Sequence, residues 1–150
     1  MDDLHAAIKL YERAYRLTPA DHLDRPMYLA GLGNSLHLRY QRTNSLADLN
    51  AAIVHLRRML DATLNGDPRF PGRSYNLSWV LLNKFNEMKN VMDLNVAIRT
   101  LESALNCTSD DNRRELTFFS NILGAAYYQA FEQSGELDDL NKSIRFYKQA

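Results

Sequence analysis

A single cysteine, Cys107, is all the thiol this 150-residue sequence holds. No disulfide can form within the chain, so its fold does not depend on an oxidising compartment. Net charge is absent as well: 18 lysines and arginines balance 18 aspartates and glutamates, with the signs interspersed. That balance excludes the basic stripe by which nucleic-acid binders hold phosphates. It also excludes a polybasic membrane anchor. No apolar run approaches the roughly 20 residues needed to span a bilayer. The amino terminus, Met1-Asp2-Asp3, is acidic and runs at once into an amphipathic pattern, unlike a secretory signal. The expectation is a cytoplasmic chain with no nucleic-acid and no membrane partner. The N-x-S/T triplets at Asn76, Asn106 and Asn141 then read as chance matches.

Catalytic groupings are equally scarce. The four histidines, His5, His22, His37 and His55, form no H-E-x-x-H motif or close pair suited to zinc. Cys107 has no histidine near it in the chain, and the end of a helix disfavours a thiolate. Asp21-His22-x-Asp24 reads as a polar loop whose Asp24 starts the next helix near Pro26. Asn65-Gly66-Asp67-Pro68 reads as a turn and not a phosphate loop. The pairs Arg57-Arg58 and Arg113-Arg114 read as solvated helix edges. No catalytic residue, cofactor or metal is expected, and the chain is read as a non-enzyme.

What the sequence does contain is a repeat. Asp3-Leu4-His5-Ala6-Ala7-Ile8 returns as Asp48-Leu49-Asn50-Ala51-Ala52-Ile53. It returns again as Asp93-Leu94-Asn95-Val96-Ala97-Ile98 and Asp139-Leu140-Asn141-Lys142-Ser143-Ile144, at spacings of 45, 45 and 46 residues. Between these copies runs a second ladder: Tyr28, Leu32, Leu36, Tyr40; then Arg73, Leu77, Leu81, Phe85; then Phe119, Leu123, Tyr127, Phe131. Positions four apart share a helix face, so each set is a stripe along one helix. A small residue recurs beside it, as Gly33, Ser78 and Gly124, where a neighbouring helix comes close. Each unit therefore reads as two helices. Helix A is expected over about 26–43, 73–88 and 113–134, and helix B over about 3–17, 45–63, 90–107 and 136–150.

The turns agree with that division. Asn44 and Gly135 fall between helices A and B, and both residue types accept the left-handed conformation that ends a helix. Ser45 and Asn90 suit the N-cap, with Asp48 and Asp93 three residues later. In the first turn the repeated aspartate is expected to accept unpaired amide hydrogens. It does not read as a ladder of metal ligands, because each stands alone in its turn.

Ala7-x3-Tyr11-x2-Ala14-x4-Pro19 matches the second half of the tetratricopeptide signature, and Leu32-Gly33 with Leu36, and Leu123-Gly124 with Tyr127, resemble its first half. The chain is thus identified as resembling the tetratricopeptide repeat (TPR) family over its whole length. The family's common period is 34 residues. The longer period here resembles a long-repeat subgroup found in large fungal multidomain proteins, beside caspase-like CHAT domains or NTPase domains. The middle repeat departs most, with Ser78 for glycine and Leu81 for tyrosine. The resemblance implies an all-α, right-handed superhelix of antiparallel helix pairs: one array over 1–150, with a half repeat at 1–25 and repeats at about 26–70, 71–112 and 113–150. An array without polar capping repeats is expected to be a piece of a longer one.

The resemblance also implies a working surface. In this family the A helices line a concave face on which a protein or peptide partner lies. The matching positions are Ala30, Asn34 and His37, then Tyr75, Trp79, Leu82 and Asn83, then Asn121, Ala125, Tyr128 and Gln129. Asn34, His37, Tyr75, Trp79, Asn83, Asn121, Tyr128 and Gln129 are the candidate partner-binding residues of this aromatic and amide-rich surface. Trp79 has a second reading, as packing between repeats. Family members that grip chaperone tails do so with basic residues, replaced here by Ala30, Phe118 and Ile122, so chaperone-tail binding is not expected. The expected function is a protein-interaction scaffold. Its alternatives are a regulatory array within a larger signalling protein and an RNA-binding helical repeat, the latter disfavoured by neutral charge.

Overall fold

The computed structural model describes residues 2–64 and 66–150. Met1 and Asn65 lie outside the described residues, so the turn expected at Asn65-Gly66-Asp67-Pro68 is followed only from Gly66 onward. The described residues form helices and loops, without strands: α1 (Asp2–Leu17), α2 (Arg25–Thr43), α3 (Leu46–Asp61), α4 (Phe70–Met88), α5 (Val91–Asn106), α6 (Arg113–Ser134) and α7 (Leu137–Gln149). The all-α expectation holds, and helices α2, α4 and α6 alternate with α1, α3, α5 and α7 as the A and B helices of the sequence repeat. No helix among the described residues is long and apolar enough to cross a membrane.

One boundary differs clearly from expectation. Helix α4 starts at Phe70 and not near Arg73. Pro71 and Gly72 lie in its first turn, where proline lacks only an amide hydrogen that the turn leaves unused. Pro26 holds the same place in α2.

The chain divides into two compact units, Met1–Val80 and Leu81–Ala150. In the first, α2 packs against both α1 and α3. Leu32, Leu36 and Tyr40 of α2 are sealed beside Leu49, Ala52, Leu56 and Met59 of α3, each at most 5% exposed. Gly33 permits the approach: a Cβ there would lie 2.6 Å from Leu56 Cγ and 3.3 Å from the Ala52 carbonyl oxygen. In the second unit, α6 packs against both α5 and α7. Gly124 plays the same part against α7, where an added Cβ would lie 3.0 Å from the Tyr147 ring. Ser143, which stands where α3 and α5 have Ala52 and Ala97, donates its hydroxyl hydrogen to the Gly124 carbonyl at 2.8 Å.

The turns follow the sequence and add to it. Asn44 (φ 53°) and Gly135 (φ 72°) are left-handed as expected, and Lys89 (φ 55°) does the same work between α4 and α5. The hydroxyl of Ser45 accepts from the Asp48 amide, and Asn90 Oδ1 accepts from the Met92 amide. The repeated aspartate, however, does not spend its carboxylate on unpaired amide hydrogens. Asp48 binds Arg39 through two hydrogen bonds, Nε to Oδ2 at 2.7 Å and Nη2 to Oδ1 at 2.5 Å. Asp93 faces Lys84 Nζ at 3.2 Å. Each aspartate thus ties helix B back to the helix A before it, and a planar guanidinium offers the better match to a carboxylate. At the third turn the position nine before Asp139 is Ala130, and Asp139 accepts from the Ser134 hydroxyl instead.

A further element repeats with the same period. Thr18, Thr63 and Thr108 each donate a hydroxyl hydrogen to the carbonyl four residues back, at 2.7, 2.8 and 2.9 Å. They reinforce the last turns of α1, α3 and α5, where the Ala14 and Ala104 carbonyls also accept a backbone amide.

Candidate functional site

The A helices present their exposed side chains in stripes three or four residues apart, the spacing that keeps side chains on one helical face. On α2 the stripe is Asn34, Leu38 and Gln41. On α4 it includes Trp79 and Asn86, with Tyr75 and Asn83 half-buried beside them. On α6 it is Asn121, Ala125 and Tyr128, with Gln129 half-buried alongside.

Seven of the eight candidate residues therefore reach the surface in whole or part. His37 does not. It is 7% exposed, and its ring stacks on Tyr40 with centroids 6.3 Å apart. Position 37 follows the buried Leu36 and lies almost one turn before the buried Tyr40, so the helical twist turns it inward. Leu38, one residue on, is 42% exposed and takes the surface place assigned to His37.

In the first unit Tyr75 and Trp79 lie one turn apart on α4, with ring centroids 6.1 Å apart and planes tilted by 33°. The indole is 46% exposed, so Trp79 is a surface group and not a sealed core residue. In the second unit Gln129 Nε2 donates to Asn86 Oδ1 at 2.9 Å, joining α6 to the end of α4. Tyr128, also 46% exposed, stands next to that amide pair, its ring 6.3 Å from that of Phe131. Each unit thus shows exposed aromatic surface, joined in the second by an amide pair, with no cationic side chain among the candidates. Sequence reading missed Leu38, Gln41 and Asn86. The signal was available in the three-or-four-residue continuation of each stripe toward the end of its helix.

The remaining chemistry-bearing residues are dispersed. Among the described residues no three His, Cys, Asp or Glu side chains gather as a metal-holding group. Cys107 is exposed at the end of α5. His22 accepts a hydrogen bond from the Asp24 amide at 3.2 Å, a local loop contact. Asp24 begins α2 through its carbonyl, which accepts from the Met27 and Tyr28 amides, while its carboxylate makes no capping bond. His55 is half-buried, and burial, aided by the nearby Arg58, pushes its pKa below the usual histidine range. No protein-family model matches the chain, and no curated protein matches it.

Proposed function

We propose that this chain is a tetratricopeptide-like repeat module that binds a protein partner through the exposed stripes of α2, α4 and α6. The 45-residue repeat, with its close-approach glycines and buried alanines, supports reading the chain as a right-handed array of helix pairs. The single observation that carries the binding assignment is the exposure of Trp79 and Tyr128 on A helices. Aromatic side chains of this size bury a large area with few rotors to freeze, which is why they anchor interfaces. The neighbouring amides of Asn34, Asn83, Asn86, Asn121 and Gln129 suit hydrogen bonding to the main chain of a bound segment.

The test is affinity capture with the wild-type chain and with Trp79→Ala plus Tyr128→Ala, followed by titration of a captured partner. Truncating an anchoring aromatic costs about 2 kcal/mol, so affinity should fall roughly 30-fold or more. Circular dichroism should show unchanged helix content, because neither ring is part of the sealed core. Equal retention of the partner by both proteins overturns the assignment.

A further inference from the structure

One position of the apolar ladder carries a charge. Where the first and third repeats place Tyr28 and Phe119, the second places Arg73, 8% exposed. A buried guanidinium needs compensation, and the described residues supply only part of it. Arg73 Nη1 donates to Thr63 Oγ1 at 2.8 Å and reaches Asp67 Oδ2 at 3.4 Å. Asp67 is mainly taken up by Arg69, whose Nε, Nη2 and backbone amide each donate to it at 2.9 Å. These bonds hold the Asp67 carboxyl at a pKa of about 2. Burial, joined by the neighbouring Arg69 charge, lowers the pKa of Arg73 and outweighs Asp67. Nε and Nη2 of Arg73 make no hydrogen bond to the described residues.

Arg73 lines a cavity of about 280 Å³ between the loop leading into α2 and the loop leading into α4, both within the first unit. Leu23, Pro26, Ala62 and Leu64 form apolar wall, and Arg25 and Arg69 stand with Arg73 on the cationic side. Arg25 is engaged by the Thr18 carbonyl at 2.6 Å and by the Tyr15 ring at 4.2 Å. Asp21 also lines the cavity. Asp24, at the start of α2, acts on Arg69 as well, so three arginines stand against the three aspartates Asp21, Asp24 and Asp67. Helices α2 and α4 both begin here without an acidic residue in their first turn, and the nearest carboxylates to their amide ends are those of Asp24 and Asp67, just before each helix.

We propose that this cavity binds a small organic carboxylate with an apolar body, its two oxygens on the Nε and Nη2 edge of Arg73. A guanidinium edge and a carboxylate are matched planar forks. The four apolar side chains give the body of such a carboxylate somewhere to lie, a contact that inorganic phosphate cannot use.

The experiment titrates the full chain with hexanoate, hexanamide and inorganic phosphate, reading thermal stability and backbone amide NMR shifts. Hexanoate should raise the melting temperature saturably and shift amides within 20–26 and 62–73, while the other two should do neither. Arg73→Phe, which installs the third repeat's residue, should weaken hexanoate at least about tenfold, the scale of a lost charge-assisted bond. Leu64→Glu alters a side chain that is 69% exposed and places a like charge at the cavity, so it should weaken binding in a chain that folds normally. The proposal is overturned if hexanoate leaves the folded wild type unchanged or binds both variants undiminished. Equal binding of hexanamide removes the role of charge, and equal binding of phosphate removes that of the apolar body; either result also overturns it.

Discussion

Gly135 has a φ of 72° and ends α6, donating its amide hydrogen to the Phe131 carbonyl at 2.7 Å. A Cβ there would meet nothing within 4 Å, so any cost of substitution is backbone strain alone. Gly135→Ala should lower stability by about 1 kcal/mol, the left-handed penalty less the smaller entropy of the unfolded chain. Chemical denaturation would show this as a lower midpoint with an unchanged slope. His55 gives a prediction in pH. Burial and Arg58 depress its folded pKa, outweighing Glu12, so the unfolded chain takes up the proton more readily. The stability contributed by neutral His55 is complete above the unfolded value of about 6.5 and is lost as pH falls through the folded value. Between pH 7.5 and 5.5 the wild type should therefore lose more thermal stability than His55→Gln, since the histidine difference cancels other titrations common to both. Equal losses would show that His55 contributes nothing to this window.

At the scale of helices, the two close approaches differ in what they can tolerate. Leu56 opposite Gly33 is fully buried among α2 and α3, and its branch point is the nearest atom to an added Cβ. Gly33→Ala should cost about 1–3 kcal/mol through overpacking, more than the helix-propensity gain of about 1 kcal/mol. Tyr147 opposite Gly124 is 49% exposed and free to give way, so Gly124→Ala should be near neutral. Thermal melts of the two variants would separate these cases. The sequence made Gly33, Ser78 and Gly124 legible because a small residue beside an apolar stripe repeats within one helix. It did not reveal Arg39 with Asp48, or Lys84 with Asp93, because those pairs lie nine residues apart across a turn, a separation no single helical period describes. His37 was misplaced for a related reason. Alignment of repeats fixes the register of a helix, but one residue of offset rotates a side chain by roughly 100° and carries it from surface to core. Arg73 was read as a rung of an apolar ladder, and only the Thr63 hydroxyl and Asp67 carboxylate at the loop explain how a charge is accommodated there.

For the molecule as a whole, balanced charge distinguishes the proposed partner class from the nucleic-acid alternative. The chain carries 18 charges of each sign. The candidate faces consist of Trp79, Tyr75 and Tyr128 with asparagine and glutamine amides. A partner held by apolar burial and neutral hydrogen bonds displaces few counterions, and contacts among exposed charges are screened within about 10 Å at ordinary salt. Raising salt from 50 to 200 mM should thus change the dissociation constant of the captured partner less than about threefold. A nucleic acid held through several phosphates would lose about a thousandfold or more over the same range. Titration by calorimetry at the two salt concentrations, using the same partner and the Trp79→Ala plus Tyr128→Ala control, distinguishes the outcomes. Weak salt dependence together with loss in the control identifies binding through the aromatic and amide stripes. A steep salt dependence, indifferent to those two rings, would place the binding energy on Arg57, Arg58, Arg113, Arg114 or other charged surface and raise the disfavoured RNA-binding reading above the scaffold.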